Sequence, residues 1–207
     1  MKGGEWKIIN KKGFTLVELL IVIGLLGAIA LIVIAAINPI EQANRARDTK
    51  FKADSGQLIS AIDRYFVGIS KFPWETVSPD DYGTEDPFGF VSADDEEVGL
   101  CGATCSVDGE LLTNNELKSE FKSRDFVRNA SDGLDHQIFV GKADGSSSSI
   151  YACFIPLANS TKQTAIDSEI VWSLDTSGTR STGSCTAVDD IWLGSDIGDS
   201  CFVCVPE

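Results

Sequence analysis

The sequence predicts an α+β protein: a long N-terminal helix, membrane-spanning in its first half, packed against a small antiparallel β-sheet with disulfide-stapled loops. Three observations predict it. Residues 19–37 form an unbroken apolar run. Residues 41–69 are charged but repeat apolar side chains at three-to-four-residue spacing. Further on, short β-rich segments alternate with turn signals, and all six cysteines lie in this downstream part.

The apolar run is the most informative element. Its 19 residues carry no charge and no polar side chain. At 1.5 Å per residue they extend about 30 Å, the thickness of a bilayer core. Lys2, Lys7, Lys11 and Lys12 precede it and an acidic body follows, which places the N-terminus in the cytoplasm by the positive-inside tendency. A secretory signal has a shorter apolar region ending at a small-residue cleavage site; Ala35 and Ala36 keep that alternative open. Glu18 interrupts the apolar stretch four residues after Phe14. A carboxylate in the membrane costs roughly 2.5–3.5 kcal/mol, which makes it a candidate functional residue. The alternative is a side chain that reaches water at the cytoplasmic headgroups.

Gly13, Phe14, Thr15, Leu16, Val17, Glu18, Leu19 and Leu20 together resemble the class III leader junction of bacterial type IV pilins and pseudopilins. The short basic segment, the Gly before Phe, and the Glu at the fifth position after Gly carry the resemblance. It covers residues 1 to about 70, and only the general layout thereafter. It implies a leader at 1–13, a transmembrane and filament-core helix at 14–38, an amphipathic continuation at 39–70 and an extracytoplasmic domain at 71–207. It further implies cleavage between Gly13 and Phe14 by a prepilin peptidase, which then methylates the Phe14 amine. Glu18 of one subunit would pair with the Phe14 amine of a neighbour. The implied partners are copies of the chain or other pilins, the inner-membrane assembly platform, and lipid before assembly. No cofactor is implied.

Past the membrane segment, Phe51, Leu58, Ile62, Tyr65 or Phe66, and Ile69 form one apolar stripe. Unbroken from 15 to 68, the helix would be roughly 80 Å long. Pro39 is expected to kink or locally melt it. Gly24 and Gly27 either loosen the first half or mark close helix contact. Gly68 and the Phe72, Pro73, Trp74 cluster end the helix. Residues 75–112 read as an acidic connecting region, and Asn115 as the cap of a short helix over 116–127. Residues 137–141, 149–155 and 169–174 read as strands, with turns at Ala143, Asp144 and Gly145 and at 175–178. The tail reads as a stapled loop region, and about four strands against the second half of the helix complete the body.

Without residues 1–13 the chain holds 13 basic and 30 acidic residues, a net charge of −17. Such a surface argues against direct nucleic-acid binding, which requires cations to replace counterions. Cys101, Cys105, Cys153, Cys185, Cys201 and Cys204 lie in the part that would be exported, so disulfides are expected; six cysteines allow 15 pairings. The rival is a zinc site built from Cys101, Cys105, Cys201 and Cys204. Asp189, Asp190, Asp196 and Asp199 are weak calcium candidates whose spacing does not match an EF-hand, and no metal is expected. His136 beside Asp135 reads as a turn residue, and Trp74, Trp172 and Trp192 as core or cap residues. No serine elbow or phosphate loop is present, so no enzymatic activity is expected. The leading function is a structural filament subunit; the alternatives are a membrane-tethered binding module and a conventionally secreted protein.

Overall fold

The computed structural model describes residues 13–36 and 38–207. The chain divides into two compact units, 1–40 and 41–207. In the first, α1 (Leu16–Ala36) is apolar on every side past Glu18 in its first turn. Its large side chains from Leu16 to Ile34 are all exposed. It is long and apolar enough to cross a membrane. α1 ends before Pro39, and α2 (Pro39–Ile69) begins on it. Pro39 is the first residue of α2. In the first turn the missing N–H has no partner to lose, and the fixed φ suits the helix.

In the second unit α2 buries one face. Phe51, Leu58, Ala61, Ile62 and Tyr65 are within the core. Phe66 is half-buried and Ile69 is exposed, so the stripe ends a turn earlier than its sequence spacing suggests. The same face also buries Asp48, Asp54 and Ser55. Ser70 takes a left-handed conformation (φ 60°) just past the helix, and α3 (Pro73–Val77) follows. Phe66, Phe72, Trp74 and Phe88 then stack in succession, at 4.4, 4.7 and 4.3 Å between centroids. That stack joins the end of α2 to β1.

The main sheet has the order β1-β2-β3-β6, antiparallel throughout, from β1 (Phe88–Ser92), β2 (Phe139–Lys142), β3 (Ile150–Phe154) and β6 (Val203–Val205). β4 (Trp172–Leu174) and β5 (Arg180–Thr182) form a separate hairpin across the expected turn at 175–178. Two expectations are corrected here. β1 lies inside the acidic stretch read as a connection, where Phe88, Phe90 and Val91 supply the apolar positions. β6 lies in the tail read as a loop, where Cys204 pairs opposite Cys153.

The single helix expected over 116–127 is also absent. α4 (Glu110–Thr113), a 3₁₀ turn over Ser119–Ser123 and α5 (Asp125–Arg128) replace it. Lys118 and Arg124 are both extended, with ψ 151° and 155°, and break any continuous helix. Asn115 sits at φ 60°, closing the segment before it instead of capping one after it. An unpredicted helix, α6 (Asn159–Asp167), follows β3.

α6 is fastened to the start of α2 by polar groups. Glu41 accepts from the backbone N–H groups of Asn159 and Ser160 at 3.0 and 3.2 Å. Asp48 accepts from the N–H of Leu157 (3.2 Å) and Ala158 (2.9 Å) and from Arg47 at 3.0 Å. These carboxylates satisfy donors that a helix N-terminus otherwise leaves open.

Three disulfides consume the cysteines: Cys101–Cys105, Cys153–Cys204 and Cys185–Cys201. Cys201 and Cys204 belong to different bridges, which removes the zinc reading.

Candidate functional site: the junction before α1

Gly13 is exposed, and a Cβ placed on it would meet nothing within 4 Å. Among the described residues nothing crowds a side chain there. Phe14 is also exposed, with 78% of its surface free. Gly24 and Gly27 likewise face open space. The segment from Gly13 to Ile34 thus presents its large apolar side chains and its glycine positions outward.

Thr15 and Glu18 form a capping box at the head of α1. Glu18 Oε2 accepts from the Thr15 backbone N–H at 2.9 Å and from the Thr15 hydroxyl at 2.8 Å. In return, Thr15 Oγ1 accepts from the Glu18 N–H at 3.2 Å. Two donors that helix geometry leaves unpaired are satisfied reciprocally. Both Thr15 bonds to the Glu18 carboxylate fall on one oxygen. Sequence reasoning singled out Glu18 as a charge in an apolar run and passed over Thr15. The T-x-x-E spacing immediately before a hydrophobic run was the available signal.

The lysines Lys2, Lys7, Lys11 and Lys12 lie outside the described residues. The other sites named from sequence are dispersed through the second unit. His136 ends a short 3₁₀ turn, 3.9 Å from Asp135. Trp74 and Trp192 are buried, and Trp172 is half-buried. Of the calcium candidates, Asp190 accepts from the N–H groups of Ala187 and then Thr186, which hold its carboxyl below the usual range. Asp196 accepts from the N–H of Asp199, whose own carboxylate accepts from Ser195. Asp189 is exposed. Among the described residues no group of three or more His, Cys, Asp or Glu side chains is arranged to hold a metal ion.

Comparison with known proteins adds one finding. The family model described as the prokaryotic N-terminal methylation motif matches residues 9–34, which include Gly13, Phe14, Glu18 and most of α1. No curated protein and no solved structure matches the chain. An open glycine, an exposed Phe, a capped Glu and an exposed apolar helix fall within one matched segment. Residues 9–34 are therefore similar to the methylation motif found at the class III prepilin leader of type IV pilins and pseudopilins.

Proposed function

We propose that this protein is a structural, non-enzymatic subunit of a type IV pilus or pseudopilus. It enters the inner membrane as a prepilin with its N-terminus in the cytoplasm. A prepilin peptidase cleaves between Gly13 and Phe14 and methylates the new amine. The assembly platform then draws the subunit into an extracellular or periplasmic filament made of copies of itself or other pilins.

The observation that carries this reading is α1, apolar apart from Glu18, with its large side chains from Leu16 to Ile34 exposed and lying within the match to the methylation motif. A helix of this kind is stable in lipid, or in a core made of other such helices, and nowhere in water. The chemistry of the junction supports the same route. Cleavage removes four lysines and leaves one positive group at Phe14. Glu18 of a neighbouring subunit would neutralise it. An unpaired charge in an apolar core costs several kcal/mol, so the pair would set register between subunits. Gly13 leaves the scissile backbone open to the peptidase.

The test is the intact mass and N-terminal sequence of the protein recovered from its native cell surface. An N-terminus at Phe14 carrying one extra methyl group is expected. An N-terminus at Met1 would make the chain a plain membrane tether, and one near Ala36 a secreted domain; either overturns the filament reading. Glu18→Ala should abolish filament recovery, and normal filaments from that variant would remove the registry role.

A further inference from the structure

Asparagine followed two residues later by serine or threonine, with no proline between, is the acceptor pattern for N-linked glycans on exported chains. It occurs twice, at Asn129-Ala130-Ser131 and at Asn159-Ser160-Thr161. Both lie in the part of the chain that export would carry across the membrane. The fold treats the two differently.

Asn129 is half-buried, and its carboxamide donates to Asp125 Oδ1 at 2.8 Å. The neighbouring Ala130 is buried, and its carbonyl accepts from Gln137 at 2.7 Å. A sugar on the Asn129 Nδ2 would have to displace the Asp125 bond and open a packed turn.

Asn159 is the first residue of α6 and is exposed. Its backbone N–H is held by Glu41 at 3.0 Å, while its carboxamide has no hydrogen-bond partner among the described residues. The clamp therefore fixes the backbone and leaves the reactive nitrogen outside, where a sugar costs no bond. α6 is nine residues, too short to be stable alone. Before the contacts with Glu41 and Asp48 form, the segment can enter an enzyme's active site extended. Afterwards the exposed side chain leaves the glycan outside the packed body, so the modified chain folds as the unmodified one does.

We infer that Asn159 is an N-glycosylation site, modified on the extracytoplasmic side by a membrane oligosaccharyltransferase with a lipid-diphosphate-linked oligosaccharide as co-substrate. The Asn159 Nδ2 attacks the anomeric carbon of the first sugar. A C–N bond forms as the bond from that carbon to the diphosphate oxygen breaks. The lipid diphosphate leaves with the electron pair, and Nδ2 gives up one of its two protons to a base of the enzyme. Nothing is oxidised or reduced. The inference rests on the filament reading only for export of the body.

The experiment uses the full chain recovered from its native cell surface, digested with trypsin and read by mass spectrometry with fragmentation that keeps glycans attached. The peptide 143–162, which contains Asn159, should carry a sugar mass on that residue, and 129–142, which contains Asn129, should carry none. Asn159→Gln and Thr161→Ala should each lower the glycosylated peptide at least tenfold, and Thr161→Ser should retain it. Should Asn159→Gln fail to reach the surface, the two Thr161 variants give the same answer, because one removes the motif and the other keeps it. A sugar mass that survives Asn159→Gln or Thr161→Ala belongs to the serines at 146–149 of the same peptide and overturns the inference. An unmodified Asn159 on a chain beginning at methylated Phe14 overturns the glycan and leaves the filament reading intact. A modified Asn159 on a chain that keeps Met1 supports the glycan and removes the filament reading. A chain that never reaches the surface overturns both.

Discussion

α1 and α2 follow one another in the chain and differ in almost everything that fixes a helix in place. α1 is 21 residues, apolar apart from Glu18 in its first turn, with its large side chains from Leu16 to Ile34 exposed. α2 is 31 residues of mixed character with Phe51, Leu58, Ile62 and Tyr65 buried under the sheet. α2 packs within its own unit, and α1 is built for an apolar surrounding. Stability of the body and location of the chain should therefore be separable by substitution. Phe51 makes edge contacts with Phe126 and Phe154, at 6.2 and 5.8 Å between centroids. Phe51→Ala should destabilise the body by about 3–5 kcal/mol. Ile23→Asp, in the middle of α1, should leave the melting of the body unchanged and drive the chain out of the membrane fraction. Thermal denaturation of both variants in detergent, beside membrane fractionation, tests the contrast. Equal losses of melting temperature would break it.

The disulfides divide the second unit on the same principle of what each closure constrains. They close separations of 51, 16 and 4 residues for Cys153–Cys204, Cys185–Cys201 and Cys101–Cys105. On a chain-entropy argument these contribute about 4, 3 and 2 kcal/mol in that order. Paired Cys→Ser variants, compared by urea midpoint, should rank the same way. If removing Cys101–Cys105 cost most, its loop would be holding more of the body than its length implies.

What was legible in the sequence follows this division too. α1, the junction and the apolar stripe of α2 were readable because each is a local pattern of hydrophobicity or spacing. β2, β3 and β4 with the turn after it were readable from β-rich runs beside Gly turns, whereas β5 (Arg180–Thr182) was not expected. β1 and β6 were not, because a short strand flanked by acids or cysteines has no local period and is fixed by its neighbour in the sheet. α6 was missed because its nine residues are mostly polar, and its N-terminal donors are satisfied by Glu41 and Asp48 from a distant helix. Asp48 and Asp54 lie three residues either side of Phe51, on the stripe itself. A stripe drawn from apolar residues alone leaves out these long-range acceptors.

The clamp between α2 and α6 gives the contrast a pH dependence. The N–H groups of Asn159, then Ser160, hold the Glu41 carboxyl down at about 2, against an ordinary 4.5. Because the folded value is the lower one, this contact stabilises fully above the unfolded value and fades as pH falls from 4.5 toward 2. Asp54, buried on the same helix against Arg124, is pushed up by burial, so its contribution runs the other way and favours the folded state at lower pH. Glu41→Gln should therefore flatten the acid limb of the stability curve, read from urea midpoints between pH 5 and 2. An unchanged limb would assign acid lability to other groups.

The smallest effect should come from the head of α1. Thr15→Val removes the hydroxyl that donates to Glu18 and accepts the Glu18 N–H, while the Thr15 backbone N–H can still reach the carboxylate. Loss of half a capping box costs about 1 kcal/mol, confined to the first turn. Amide exchange at residues 16–19 of the full chain in detergent should accelerate about fivefold, with exchange in α2 and the melting of the body unaltered. The reason lies in the opening contrast: α1 contributes nothing to the core in which α2 packs, so a local loss in its first turn stays there. If exchange in α2 changed as well, α1 and α2 would be energetically coupled, and the two units would have to be treated as one.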